Sequence, residues 1–154
     1  MRVPAGIWAV VKEILRHLLR RPVVGVAAAA RTEDGRWLLV RRTDADEWAL
    51  PGGTLEWGET LRVAIRRELA EEAGVEVLSL GGLIGAYSAP HRDPRFHSVT
   101  LLVAATVRAP ERAPMNPVEI AEARLFEETE LPTELAHGMS DMLADARAQR
   151  TTWE

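Results

Sequence analysis

The chain contains no cysteine. Disulfides and thiol nucleophiles are therefore excluded, and a reducing compartment, the cytoplasm, is the expected location. No apolar run reaches the length needed to span a bilayer, so no membrane partner is expected. Basic residues are not in excess: 19 Lys and Arg face 23 Asp and Glu, for a net charge of −4. Without a basic field, nucleic acid is not an expected partner either. Internal repeats and low-complexity linkers are also missing. What remains is 154 residues, 47% hydrophobic and 27% charged. That is enough for one compact domain with a real core, spanning residues 1–154.

Residues 1–21 read as an extension of that domain. Trp8, Val11, Ile14, Leu15 and Leu18 recur at helical spacing, with Lys12, Glu13, Arg16 and Arg20 between them. An amphipathic helix over residues 5–20 is predicted. A signal peptide would lack the interrupting charges. The stripe can cover its own domain, a second copy or a membrane surface, and a homodimer is the expected outcome.

Beyond it, Val23 to Ala30 reads as a strand, weakened by its alanines. Glu33-Asp34-Gly35 is a turn signal, and Arg36 to Arg42 completes a hairpin. Thr60 to Ala73 lacks Gly and Pro, and Leu61, Ala64, Ile65, Leu69 and Ala73 recur at helical spacing, so a helix is predicted there. Gly74 ends it. Val75 to Tyr87 is one long strand or two short ones broken at Gly81-Gly82. Ser88 to Phe96 is a loop, His97 to Val107 a strand, Ala109 to Pro117 a proline-rich loop and Glu122 to Phe126 a short strand. A closing helix is predicted over Thr133 to Arg147. The fold class is α+β, a mixed sheet between helices.

Glu68, Glu71 and Glu72 fall on one face of the predicted helix, three and four residues apart, with side-chain bases roughly 5–6 Å apart. Carboxylates so close repel one another, and hard cations such as Mg²⁺ relieve that repulsion. A solvated acidic face is the ordinary alternative. Gly52 and Gly53 follow Pro51 and let the backbone approach a metal or phosphate closely. Arg67 and Glu59 offer an ion pair between the helix and the loop before it.

Gly53, Glu59, Arg67, Glu68, Glu71, Glu72 and Gly74 together form the pattern G-x5-E-x7-R-E-U-x-E-E-x-G-U, where U is aliphatic. At roughly 7% usage per residue, seven fixed letters match by chance on the order of 10⁻⁸ times per starting position. This pattern resembles the Nudix box. The resemblance implies an α/β/α sandwich and hydrolysis of a diphosphate linked to another moiety. It implies metal ligation by Glu68, Glu71 and Glu72 with help from Gly53, and Mg²⁺ as cofactor, with Mn²⁺ able to substitute. Glu59 and Arg67 would be structural within the motif. A further acid is expected outside the box. Glu119 is the best positional match, Glu122 is second, and Asp93 and Glu111 stand further off.

Tyr87-Ser88-Ala89-Pro90-His91-Arg92-Asp93-Pro94-Arg95 is similar to the loop of Nudix enzymes that cleave ADP-ribose and nucleoside diphosphate sugars. Two arginines in a short loop can clamp a diphosphate by bidentate bonds. Tyr87 or Phe96 could stack on a base. Arg41, Tyr87, Arg92, Asp93 and Arg95 are therefore the candidate substrate contacts. An internal Asp93–arginine pair is the structural alternative. His97 is expected to be a satisfied structural histidine, and His17 and His137 to lie on helices without metal-ligand spacing. Two other readings stay open: a nucleoside triphosphate pyrophosphatase of the sanitising kind, and a nucleotide-sensing module without turnover.

Overall fold

The computed structural model describes residues 10–15 and 21–154. Residues 10–15 are helical, and Val10, Val11, Ile14 and Leu15 are exposed on them. The rest of the expected N-terminal helix, including Trp8, His17 and Leu18, lies outside the described residues. Among the described residues, no helix is long and apolar enough to cross a membrane.

The elements run β1 (Val23–Arg31), β2 (Trp37–Arg42), β3 (Trp48–Ala49), β4 (Gly52–Thr54), α1 (Leu61–Ala73), β5 (Val77–Tyr87), β6 (Ser98–Val107), β7 (Ile120–Phe126), α2 (Ser140–Arg147) and β8 (Thr152–Trp153). The sheet follows the order β3-β2-β1-β6-β5-β8, with β4 beside β1 and β7 beside β2. It is mixed: β1 and β6 run parallel, and β5 and β6 antiparallel.

Side chains alternate across a strand, so β1 serves two cores. Val26, Ala28 and Ala30 pack with Leu38, Val40, Ala64, Ile65 and Leu69 beneath α1. Ala27 and Ala29 pack on the opposite face with Trp37, Leu39, Leu102, Met142 and Leu143 beneath α2. The sheet is therefore sandwiched by helices. Alanine is a poor strand former, yet β1 pairs with β2, β4 and β6. Its neighbours hold it, and its own propensity matters little.

Helix α1 begins and ends by local chemistry. The Thr60 hydroxyl accepts from the Val63 N–H at 3.4 Å, and Gly74 takes the left-handed conformation, with φ of 62°. A side chain at Gly74 would also strike the Arg112 backbone. The residues of α1 that turn inward are Ala64, Ile65, Leu69 and Ala73, together with two acids, Glu68 and Glu72.

The structure decides one open expectation, corrects two bounds and adds a strand. Of the two readings for 75–87 the single strand holds, over Val77–Tyr87, and Gly81-Gly82 produce a register shift against β6 instead of a break. Strand β7 starts at Ile120, before Glu122. The closing helix starts at Ser140, not Thr133, because His137 and Gly138 are left-handed (φ of 55° and 64°) and interrupt it. Strand β8 was not anticipated. It pairs with Gly85 and Ala86 of β5.

Candidate active site

Glycine builds the floor of the site. Strand β4 lies so close to β1 that a Cβ at Gly52 would sit 2.7 Å from the Ala27 Cα, and a Cβ at Gly53 would strike the Glu68 carboxylate. A side chain at Gly52 would meet backbone, and one at Gly53 would displace the Glu68 carboxylate, so these glycines bring backbone and carboxylate together. Glu72 accepts the Gly52 N–H at 2.8 Å. Glu68 and Glu72 are only 8% and 7% exposed. Burial pushes the Glu72 carboxyl up to about 8, and the charges of Glu68 and Glu119 add to that. Burial also raises Glu68, against the pull of Arg67.

Arg67 binds Glu59 through two nitrogens, at 2.8 and 2.9 Å. Its Nη1 reaches Glu68 at 2.8 Å and Glu71 at 3.5 Å. The guanidinium thus supplies positive charge where the carboxylates crowd. Among the described residues, no three acidic or imidazole groups converge as a preassembled metal cage. The donor set nonetheless suits a hard cation. Buried carboxylate oxygens with too little counter-charge lie beside bare glycine backbone.

These groups face a cleft of about 410 Å³. Its acidic half holds Glu56, Glu68, Glu71 and Glu72, with Glu119 reaching in from the turn before β7. Glu119 is fixed by Arg42, at 3.3 Å, and by a weak contact to the Asn116 amide at 3.4 Å. The other half carries Phe96, Ser98, Thr100, Met139 and Met142, with Asp93, Arg95 and His137. Phe96 is 40% exposed and is the aromatic open to this half.

The structure therefore brings Gly53, Glu68, Glu71, Glu72, Arg67 and Glu119 together, with Arg92, Asp93 and Arg95 along the same cleft. It does not bring in Tyr87 or Arg41. Tyr87 is fully buried, and its hydroxyl donates to Asp145 at 2.9 Å, so it cannot stack on a base. Arg41 points away to Asp46 and Glu122, at 3.5 and 3.4 Å. Glu122 is thereby spent on Arg41, and Glu111 contributes only a backbone bond to Gly74. Arg92 lines the cleft, yet its guanidinium is consumed internally. It binds Asp141 at 2.9 Å, Glu154 at 3.0 Å and the Gly138 carbonyl at 2.9 Å, and lies 4.8 Å above the Tyr87 ring. The expected diphosphate clamp by Arg92 is not supported by such a saturated group. Asp93 accepts three N–H bonds from Arg95, at 2.7–2.9 Å. His97 bonds the Ser88 carbonyl at 2.9 Å, as a structural histidine does.

Arg42 and His137 line the cleft although neither is an expected site residue. Arg42 enters it where Arg41 was expected. The signal was there: Leu38 and Val40 face the α1 core, and Arg42 continues that parity. His137 was placed on a helix without neighbours and instead lies in the cleft. Only the left-handed turn puts it there, and no spacing rule foretells that turn.

The sequence pattern of the NUDIX domain matches residues 20–146. An ADP-ribose pyrophosphatase from Methanocaldococcus jannaschii is 35% identical over 119 residues, covering 75% of this chain and 68% of that protein. A MutT-like protein from Streptomyces ambofaciens is 45% identical over 64 residues, which span 42% of this chain and 41% of that one. Among solved structures, a MutT NUDIX hydrolase from Burkholderia pseudomallei superposes with a TM-score of 0.69 at 28% identity, covering 82% of this chain and 98% of that one. An ADP-ribose pyrophosphatase from Streptococcus suis gives a TM-score of 0.70 at 25% identity, covering 87% and 100%.

Proposed function

We propose, from the premise that this chain belongs to the NUDIX family, that it hydrolyses the diphosphate bond of ADP-ribose or a nucleoside diphosphate sugar. The products are a nucleoside monophosphate and a sugar phosphate. The observation that carries the reading is the pair of buried carboxylates, Glu68 and Glu72, opening beside Gly52 and Gly53 into a cleft whose far half sets Phe96 and Met139 beside Asp93, Arg95 and His137. The substrate class is supported by the 35% identity to the archaeal ADP-ribose pyrophosphatase.

Glu68, Glu71 and Glu72, with the Gly53 carbonyl, would hold Mg²⁺ or Mn²⁺. Such ions, when bound, neutralise phosphate oxygens and acidify a coordinated water. The chain's own groups do the rest. The Gly52 N–H fixes Glu72, and Arg67 fixes Glu68, so neither carboxylate must reorganise during the reaction. One carboxylate of the set, with Glu119 as the member outside the helix, takes the proton of the attacking water. The water oxygen bonds to phosphorus, and the bridging oxygen leaves with the departing phosphate. Phe96, Met139 and Met142 offer the moiety beyond the diphosphate an apolar seat.

A panel of ADP-ribose, nucleotide sugars and nucleoside triphosphates with Mg²⁺, followed by product identification, tests this reading. The diphosphates should give the higher kcat/KM. A putative 8-oxo-dGTP diphosphatase from Mycobacterium tuberculosis, 54% identical over 43 residues, supports a second reading, hydrolysis of triphosphates. A triphosphate advantage of about tenfold, or 1.4 kcal/mol in transition-state binding, would establish it.

We further propose a single domain, a cytoplasmic location and a homodimer that buries the N-terminal apolar stripe. The exposed Val10, Val11, Ile14 and Leu15 support the last. Sedimentation of the full chain as a monomer at micromolar concentration would refute it.

A further inference from the structure

The cleft must receive an anion, but two of its four arginines are spent on partners within the fold. Arg67 is held by Glu59 and Glu68. Arg92 is saturated by Asp141, Glu154 and the Gly138 carbonyl. The other two, Arg42 and Arg95, reach the cleft from β2 and from the loop before β6; Arg95 gives Nε and Nη2 to Asp93, and its Nη1 remains for a second anion.

These two arginines converge on one carboxylate. Asp44 accepts from Arg42 Nε at 3.0 Å and Nη2 at 3.3 Å, and from Arg95 Nη1 at 2.9 Å. A third group faces the same oxygen. His137 Nε2 lies 3.8 Å from Asp44 Oδ2, too far for a hydrogen bond. That nitrogen is buried and has no hydrogen-bond partner. Buried polar atoms are almost always satisfied, and leaving one without a partner is unfavourable. His137 also holds a left-handed backbone, with φ of 55°, that a non-glycine residue adopts only under constraint.

Two guanidiniums and an orphaned imidazole around one carboxylate describe an anion-binding site with an internal occupant. Asp44 is well suited to leave. It belongs to the hairpin loop between β2 and β3, where residues 43–47 are all exposed, and its side chain is 40% exposed. Asp44 is the exposed member of its pair with Arg42, whose side chain beneath it is only 12% exposed. Arg42 also contacts Glu119 at 3.3 Å and stands 4.0 Å from Glu72, so the site adjoins the acidic half of the cleft.

We propose that Arg42, Arg95 and His137 form a subsite for a phosphoryl group of the substrate, and that Asp44 is a built-in competitor that fills it in the free protein. Asp44 vacates the guanidiniums when the phosphoryl oxygens arrive, and His137 Nε2 gains its missing partner. The inference rests on the reading of the cleft as a diphosphate site, but its test does not depend on turnover.

Isothermal titration in excess EDTA, where no hydrolysis is required, would use the full chain with inorganic phosphate and with ADP-ribose as probes. Asp44→Asn removes the competitor's charge while keeping its size. It should bind both probes about tenfold more tightly than the wild type, the equivalent of 1.4 kcal/mol. Tighter binding of ADP-ribose alone would still support the subsite and identify the nucleotide as the source of the anion. Adding Arg95→Ala to Asp44→Asn should abolish the gain. Nitrogen-15 NMR of His137 should shift at Nε2 on adding the ligand, a response that a merely structural Asp44 would not produce. Asp44→Ser provides a second route should the first variant fold poorly. Unchanged or weaker binding by a folded Asp44 variant would overturn the proposal, because Asp44 would then be orienting the arginines. Failure of the substrate panel with an intact Asp44→Asn gain would instead overturn the diphosphate-hydrolase reading and leave the anion site standing.

Discussion

The box segment from Gly53 to Gly74 and the loop from Ser88 to His97 both carry charged residues to the same cleft, and they do so in opposite ways. In the box, the partners are close in sequence. Arg67 binds Glu59, Glu68 and Glu71, and each lies within eight residues of it. In the loop, Arg92 binds Asp141 and Glu154, which are 49 and 62 residues away. Arg95 has one partner nearby in Asp93 and another, Asp44, from 51 residues upstream. The first arrangement is set by helix periodicity and survives as a motif. The second is set by where distant segments meet. Two arginines in one loop thus have different fates: Arg92 braces the fold, and Arg95 keeps donors facing the cleft.

The sharpest way to test that contrast is to remove a box charge. Glu72→Gln keeps size and the bond from the Gly52 N–H but removes the charge. Turnover with Mg²⁺ should fall by about 10²–10⁴, as for other central charge-stabilising groups, while the circular dichroism stays native. Near-normal kcat in a folded variant would break the assignment.

Arg92→Ala should act on the other side of the comparison. Its guanidinium is only 10% exposed and holds α2, β8 and the loop together. Urea denaturation should show a loss of about 1–3 kcal/mol, with kcat on the surviving folded fraction changed far less than in Glu72→Gln. A stable variant with collapsed kcat would mean that Arg92 meets substrate after all.

A third effect comes from the same glutamate without metal. The folded pKa of Glu72 is raised, to about 8, so its protonated form favours the fold. That contribution is fully present below the unfolded value near 4.5 and is lost as pH rises through 8. Metal-free Glu72→Gln should therefore melt higher than metal-free wild type at pH 9, and the gap should close by pH 5. A gap that widens toward acid would contradict burial as the cause.

The smallest effect concerns the clamp at the far end. Arg92 and the Ser88 and Ala89 N–H groups hold the Glu154 carboxyl down to about 2. A depressed carboxyl stabilises the fold above the unfolded value near 4.5 and loses that contribution as pH falls toward 2. Wild type should lose melting temperature more steeply over that window than Glu154→Gln. Parallel curves would show that the clamp carries no linkage.

Legibility follows the same division. Helix α1 could be read to within one residue, because Thr60 and Gly74 act on their own backbone neighbourhood. The motif carboxylates were readable for the same reason. The start of α2 was not, since residues 133–139 show helical periodicity but the chain turns left-handed at His137 and Gly138 to offer a carbonyl to Arg92. Tyr87 looked like a stacking ring and is a core residue, because Asp145, which satisfies its hydroxyl, lies 58 residues on. Arg41 and Arg42 differ only by strand parity, and a register shift against β7 falls between them. Alternation across a sheet makes one position decisive, and an irregularity in the ladder hides which one.

The loop that follows β6 has a consequence for how the site comes apart. Its Met115 N–H donates to the Glu71 carbonyl at 2.8 Å, and its Glu111 N–H to the Gly74 carbonyl at 3.1 Å. It then turns at Asn116, which receives the Glu119 and Ile120 N–H groups, and delivers Glu119 to the cleft. The carbonyls that helix α1 leaves orphaned at its end are thus the anchor points of the segment that carries the outlying acid. Local opening of that loop would strip the last turn of α1 and withdraw Glu119 in a single event. The acids inside and outside the motif belong to one cooperative unit, and hydrogen exchange should release those amides together.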